Sequence, residues 1–419
     1  MTNIVIPEDV NFIIGLLREK GHEAYVVGGC VRDCLLDEEP KDWDITTSAL
    51  PEEVKEIFFK TIDTGIKHGT VTVMLHGTGY EVTTYRVDGE YHDGRHPDSV
   101  SFTRCLDEDL KRRDFTINAF AYSDETGVKD LFGGLDDLRN KIIRCVGNPL
   151  ERFGEDALRI LRAVRFAAKL DFTIEPETYR AAEILAKNLR LVSSERIKAE
   201  IDKILTSDNP GHLALLNRMG LSEYVMPELM NADEEVLSES LKKAPKELYV
   251  RWAVLAYILE EVSGGGSSLN VMKRLKFDNR TSDRVKLFVT CSGHKLPEGK
   301  TENGSLRTEL RKLIHMTGKE NIFDYLSFTE ALSVSFPSFE NDHVLLKKEA
   351  GDILERNECT SLKDLAVNGR DIAQNTGAEG AEIGKILEEL LQKVLEEPEL
   401  NNRETLLDML KKNGGENGF

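Results

Sequence analysis

A change of period near Pro149 constrains this chain more than any other feature. Before it, short β-type runs alternate with amphipathic helices; after it, apolar residues recur at helical spacing with few strand candidates. The switch predicts an α+β fold, with a small mixed sheet carrying helices on one side and an all-helical remainder. At 419 residues the chain exceeds what one core supports, so two to four domains are expected. In the first part the spacing predicts helices over 7–20, 30–36 and 51–59, β runs over 24–27 and 42–46, and a hairpin of 70–75 and 81–85 around Gly77-Thr78-Gly79.

Charge narrows the choice of partners. The 55 Lys and Arg against 74 Asp and Glu leave a formal −19, which argues against general nucleic-acid affinity. Residues 139–169 run the other way, with eight basic and three acidic side chains, so one basic, salt-sensitive groove is expected on an acidic protein. The six cysteines are scattered without a CxxC pair and read as reduced thiols. The opening residues lack a basic start with a long apolar run, and no apolar stretch reaches the length of a bilayer span. A soluble, cytoplasmic protein with no membrane partner is expected.

Asp42 and Asp44 stand two apart on a predicted strand, so both carboxylates point to one face and can grip one hard cation. Transfer of a nucleotide from a triphosphate to a hydroxyl usually employs two Mg2+ ions, one lowering the pKa of the attacking 3′-hydroxyl and one holding the triphosphate, and Asp42 and Asp44 are the expected bridging ligands of this two-metal phosphoryl transfer. Glu81, in the hairpin's second strand, is the candidate third carboxylate. By itself Asp-x-Asp is also what a solvated strand face looks like. Upstream, Gly28 and Gly29 precede a helix, where backbone N–H groups can approach phosphate oxygens, with Arg32 one turn on to reach the same phosphates. Trp43, between the two carboxylates, should face the core.

A third block runs from Glu155 to Arg165. On one helix, Ala157, Ile160, Leu161, Val164 and Ala168 form an apolar stripe, while Glu155, Arg159 and Arg162 lie opposite with Arg165 at the edge. The plain alternative is a solvated face with an ion pair such as Glu155 with Arg159. Cytosine and adenine both present an exocyclic amine beside a ring-nitrogen acceptor, whereas uracil and guanine present a carbonyl beside a ring N–H. Asp156 can accept from the amine and Arg159 can donate to the ring nitrogen, a pairing that suits C and A.

Gly28-Gly29-x-Val31-Arg32-Asp33, Asp42-Trp43-Asp44, Arg112-Arg113-Asp114-Phe115-Thr116-Ile117-Asn118-Ala119, Phe132-Gly133-Gly134 and Glu155-Asp156-x-x-Arg159-x-x-Arg162 together resemble the class II tRNA nucleotidyltransferases, the bacterial CCA-adding enzymes. The likeness is continuous over about 24–166, returns weakly at 365–371 and carries no usable motif over about 232–354. It implies a polymerase-β-like nucleotidyltransferase head over 1–140, a neck over 141–230, a helical body over 231–355 and a tRNA-binding tail over 356–419. It also implies addition of C, C and A to the 3′ end of tRNA from CTP and ATP with Mg2+, without a nucleic-acid template or a protein partner. Carried over by position, Asp42 and Asp44 hold the metal, Gly29, Arg32 and Arg113 contact the nucleotide, and Asp156, Arg159, Arg162 and Arg165 form the nucleotide-reading helix.

Relatives of this family do other jobs. Enzymes that add only CC resemble this chain but lack the flexible loop that 88–98 supplies here. Bacterial poly(A) polymerases tend to carry a basic run after the Asp pair, where 64–70 holds one lysine and one histidine. An A-adding enzyme shares both loop and motifs and stays open as an alternative, as does an RNA-binding protein without catalysis. His92-Asp93 reads as a loop coincidence, since no other histidines are placed to complete a phosphohydrolase site. The 377–384 stretch reads as an ordinary helix entrance before a phosphate contact.

Overall fold

The computed structural model describes residues 4–89, 100–294 and 303–413, and the chain divides into two compact units, Met1–Met230 and Asn231–Phe419. The first unit opens with helix α1, Glu8–Glu19, whose entry is set by Pro7 and whose first turn is acidic. Its inward stripe of Val10, Ile13, Ile14 and Leu17 is buried, each side chain worth about 1.5–3 kcal/mol relative to exposure. Gly21, at φ +87°, closes it and turns the chain into strand β1, Ala24–Val27. Helix α2, Gly29–Leu35, strand β2, Ile45–Thr47, and helix α3, Pro51–Ile57, follow.

Next come β3, Thr61–Gly65, β4, Thr70–Leu75, β5, Thr78–Thr84, the short ribbon of β6, Arg86–Asp88, with β7, Val100–Phe102, and helix α4, Leu106–Lys111. Strands β8, Phe120–Ser123, and β9, Gly127–Asp130, and helix α5, Gly134–Arg139, complete the head. The sheet runs β3-β4-β5-β2-β1-β8-β9, with the parallel pair β2–β5 among antiparallel neighbours. This is the expected α+β head with a mixed sheet. Two expectations change. Alternation in β1 sends Ala24 and Val26 to a core with α1, α2 and α3, but Tyr25 and Val27 to a second cluster with Leu106 and Leu110 of α4. The sheet therefore carries helices on both faces. The hairpin turn is tighter than expected: His76 and Gly77 both have positive φ, Leu75 pairs with Thr78, and Gly79 lies inside the strand.

After the head the first unit is mostly helical: α6, Pro149–Glu155, α7, Leu158–Leu170, α8, Pro176–Leu185, and α9, Ser194–Leu205. The block expected as one helix is two. Asp156 adopts an extended backbone, φ −139° and ψ 105°, and its side chain caps the new helix by accepting from the Leu158 N–H at 3.0 Å. The apolar stripe survives the break, since Ile160, Leu161, Val164 and Ala168 of α7 are all buried.

In the second unit the described residues are helical throughout. The helix Leu248–Ser263 is buried nearly all round, with Trp252 edge-on to Phe277 at 4.8 Å. Gly377 closes one helix at φ +74° and Gly380 precedes the next, Ala381–Glu396, whose Leu390, Leu391, Val394 and Leu395 form a core with Leu406 and Leu410. No helix of the described residues is long and apolar enough to cross a membrane.

Candidate active site

Strand register brings the carboxylates together. Ile45 of β2 lies beside Val82 of β5 in the parallel pair, so one step back Asp44 falls beside Glu81. The strand begins at Ile45 and not at Asp42, yet the Asp44 carbonyl accepts from the Val27 N–H at 3.0 Å, which keeps the extended course. Asp42, Asp44 and Glu81 line one cleft of about 420 Å³ with Pro7, Lys41 and Tyr80. Trp43 touches this cleft and packs, partly buried, against the sheet core. Helix α1 braces the hairpin that bears Glu81, because Asp9 pairs with His76 at 2.9 Å and accepts from the Tyr80 hydroxyl at 3.1 Å.

The site disfavours charge on Asp44 and on Glu81. Asp44 lines the cleft and keeps solvent contact; partial desolvation there raises its carboxyl above the usual range, Arg113 opposes the rise and Asp42 adds to it. Glu81 is raised by partial burial, then by Asp44 and Asp42. Hard oxygen donors whose charges repel suit a divalent cation. Among the described residues no group of three or more His, Cys, Asp or Glu is closed up as a metal cage.

Gly28 has φ +79°, and a Cβ there would lie 2.7 Å from Arg113 Nη1. The backbone conformation favours glycine, and any side chain there would push the guanidinium aside. Arg113 Nη1 donates to the Asn118 carbonyl at 3.4 Å, while its Nε is buried without a hydrogen-bond partner among the described residues. Arg32 is 3% exposed and lies within the protein: it donates to Asp33 and to the Asn118 side chain. Asn118 donates to Asp114 at 3.1 Å, and Asp114 accepts from Arg162 Nε at 2.7 Å. An unbroken polar chain therefore joins Arg32 of α2 to Arg162 of α7.

Around it, Arg32, Arg162 and Arg165 surround the ring of Phe166 at 5.2, 5.6 and 4.2 Å from its centroid. Burial and the neighbouring Arg162 push Arg165 down to about 10, so it stays cationic at neutral pH. Its Nε approaches Glu200 Oε2 at 3.0 Å without the alignment of a hydrogen bond. Arg159 pairs with Glu155 and donates to the carbonyls of Arg152 and Arg112 at 3.2 and 3.3 Å. Asp156 Oδ2 accepts from Arg196 Nη2 of α9 at 2.8 Å.

Residues 24–144 match the Poly A polymerase head domain family, 171–233 the family described as Probable RNA and SrmB- binding site of polymerase A, and 246–410 the family described as tRNA nucleotidyltransferase domain 2 putative. The CCA-adding enzyme of Ligilactobacillus salivarius is 38% identical over 96% of this chain and 95% of its own. That of Levilactobacillus brevis is 38% identical over 93% of this chain and 94% of its own. The chain belongs to the CCA-adding enzyme family. Among solved structures, the Bacillus stearothermophilus CCA-adding enzyme in complex with CTP is 33% identical with a TM-score of 0.78, covering 96% of this chain and 95% of that one. The Thermotoga maritima CCA-adding enzyme complexed with tRNA shares the fold at a TM-score of 0.68 and 22% identity, covering 97% of this chain and 96% of that one.

As a CCA-adding family member the chain is a nucleotidyltransferase, and the family brings dependence on a divalent metal. Its polar frame includes groups given no role from the sequence: Asn118 and Asp114 inside the Arg-Arg-Asp motif, Phe166 at the hub, and Arg196 and Glu200 on α9. The motif that contains Asn118 and Asp114 was the available signal for those two. Nothing local marks the α9 pair, because their partners lie on α7 and at its entrance. The loop after β6 lies outside the described residues from Glu90 to Pro97 and Asp98, as do His92 and Asp93.

Proposed function

We propose that this protein adds C, C and A to the 3′ end of tRNA from CTP and ATP, releasing pyrophosphate, without a nucleic-acid template. The observation that carries the reading is the cleft lined by Asp42, Asp44 and Glu81, in which desolvation and neighbouring carboxylates raise Asp44 and Glu81 while Arg113 acts on Asp44 in the opposite sense. Asp42 and Asp44 would hold Mg2+, which when bound lowers the pKa of the attacking 3′-hydroxyl and offsets charge on the triphosphate. Glu81 is the third carboxylate of this set. Gly29 and Arg113 bind the triphosphate side, and Arg32, enclosed and engaged by Asp33 and Asn118, joins them by giving up one of those bonds. Gly28 allows the Arg113 guanidinium to lie against the backbone turn, and Asn118 holds Arg32 in place.

Base choice falls to Asp156 and Arg159. Each oxygen of Asp156 already accepts one bond, from Leu158 and from Arg196, and a carboxylate offers about four lone-pair sites, so an exocyclic amine can still be accepted. Arg162 and Arg165 supply positive charge at the same wall. The division into head, neck, body and tail at 140, 230 and 355 belongs to this reading, as do a cytoplasmic location and action without a protein partner. The complex of the Bacillus stearothermophilus relative with CTP supports it, at 33% identity across nearly the whole chain.

The test is single-nucleotide extension of a tRNA transcript lacking its CCA end, with CTP alone, ATP alone and both. Two additions with CTP and a third once ATP joins are expected. A single A, added only to tRNA that already ends in CC, would make it an A-adding enzyme with the same residues in the same roles.

A further inference from the structure

Asp109, on α4, stands outside the set just described, yet it is a fully buried carboxylate at 0% exposure. Its Oδ1 accepts from Arg112 Nε at 2.9 Å and Nη2 at 2.7 Å, and from the Arg86 N–H at 3.4 Å. Its Oδ2 accepts from Thr46 Oγ1 at 3.4 Å and stands 3.6 Å from Arg113 Nη2. A charge this enclosed persists only where its neighbours balance it.

Three of these four partners lead toward the reaction centre. Thr46 follows Asp44 by two residues on the strand beside Glu81. Arg112 presents its carbonyl to Arg159 at 3.3 Å. Arg113 lies against the Gly28 turn and acts on Asp44. The short bonds go to Arg112, while Arg113 is held at 3.6 Å by charge and not by a hydrogen bond. Its buried Nε makes no hydrogen bond among the described residues, so the guanidinium is fixed in place with a donor still unused.

We propose that Asp109 is a positioning residue for nucleotide binding, whose carboxylate sets the Arg113 guanidinium over the Gly28 turn before substrate arrives. An arginine fixed in its bound place loses little rotamer freedom when a triphosphate reaches it, whereas a loose one gives up that freedom on binding. The inference rests on the nucleotide-binding role proposed for Arg113.

The test is a double-mutant cycle, with KM and kcat for CTP and ATP measured at saturating tRNA. Asp109→Asn keeps the shape and removes the charge; it is expected to raise both KM values about tenfold while kcat moves less than about twofold. Arg113→Gln alone should also raise KM, and Asp109→Asn on that background should add nothing further. If the two effects multiply, Asp109 does not act through Arg113 and the proposal falls while the role of Arg113 stands. If Arg113→Gln leaves KM unchanged, the nucleotide role of Arg113 falls and the proposal with it. A loss of active enzyme with unchanged KM marks a merely structural carboxylate and overturns the proposal as well. Should Asp109→Asn not fold, Asp109→Glu, which keeps the charge but shifts it by one methylene, enters the same cycle with the same expectation for KM.

Discussion

Asp114→Asn isolates the buried carboxylate that links Arg162 to Asn118. Asp114 is 8% exposed, and burial alone would raise its carboxyl; Arg162, the Asn118 amide and Arg159 outweigh that and hold it at about 2 against an ordinary 3.8. At about 1.36 kcal/mol per pH unit, that gap corresponds to roughly 2–3 kcal/mol. Because the folded value is depressed, the contribution is fully present above pH 3.8 and is lost as pH falls from there through about 2. The variant should therefore lose roughly 2–3 kcal/mol at pH 7, or about 5–10 °C in Tm for a unit of this size. The chain has two tryptophans, Trp43 in the first unit and Trp252 in the second, so a Trp252→Phe background lets fluorescence report the first unit alone. Urea unfolding at pH 7 and at pH 3 should show a gap between the two proteins that narrows on acidification. An unchanged midpoint at pH 7, or a gap of the same size at both pH values, would refute the assignment of that stability to the Asp114 charge.

Asp44 points the other way: its raised carboxyl means that folded-state stability is lost as pH rises above the ordinary value of 3.8, so Asp44→Asn should raise the Tm of metal-free protein at pH 7. Adding Mg2+ should then stabilise the wild type and not the variant, as differential scanning fluorimetry with and without chelator can read. Asp156→Ala should erode the preference for C and A over U and G by about 1–3 kcal/mol, measured as the ratio of kcat/KM values with the four triphosphates; undiminished discrimination would remove the base-reading role. Gly28→Ala places a Cβ 2.7 Å from Arg113 Nη1 at a backbone φ of +79°, and should raise KM for both nucleotides as well as cost about 1–3 kcal/mol of stability. A variant with wild-type KM and Tm would mean that the turn yields without disturbing Arg113.

The parts of the site legible in the sequence are those whose chemistry is written in adjacent residues. Asp42 and Asp44 share a face because an extended chain alternates, and Gly28 precedes a helix because only glycine fits there. Strand β3 escapes a reading by period because Thr61–Gly65 is exposed along its middle three residues, and β8 because Phe120–Ser123 is buried on both faces. The same both-face burial in β1 was the available sign that helices cover both sides of the sheet. The break at Asp156 is hidden because its neighbours keep helical spacing across the joint, while the aspartate itself suits a cap as well as a helix surface. Asp109, Phe166, Arg196 and Glu200 take their roles from tertiary partners, up to 63 residues away for Asp109 and 40 for Arg196, and no local pattern encodes such contacts.

The central claim is that Asp42 and Asp44 hold the metal for nucleotidyl transfer. Its most direct test is the rate of single-nucleotide incorporation from CTP into tRNA lacking CCA, compared among wild type, Asp42→Ala and Asp44→Ala, with folding checked by circular dichroism. Both variants should remain folded and fall below about 1% of the wild-type rate, a loss of at least about 2.7 kcal/mol in transition-state stabilisation. A folded Asp42→Ala or Asp44→Ala that incorporates C at the wild-type rate would contradict the account.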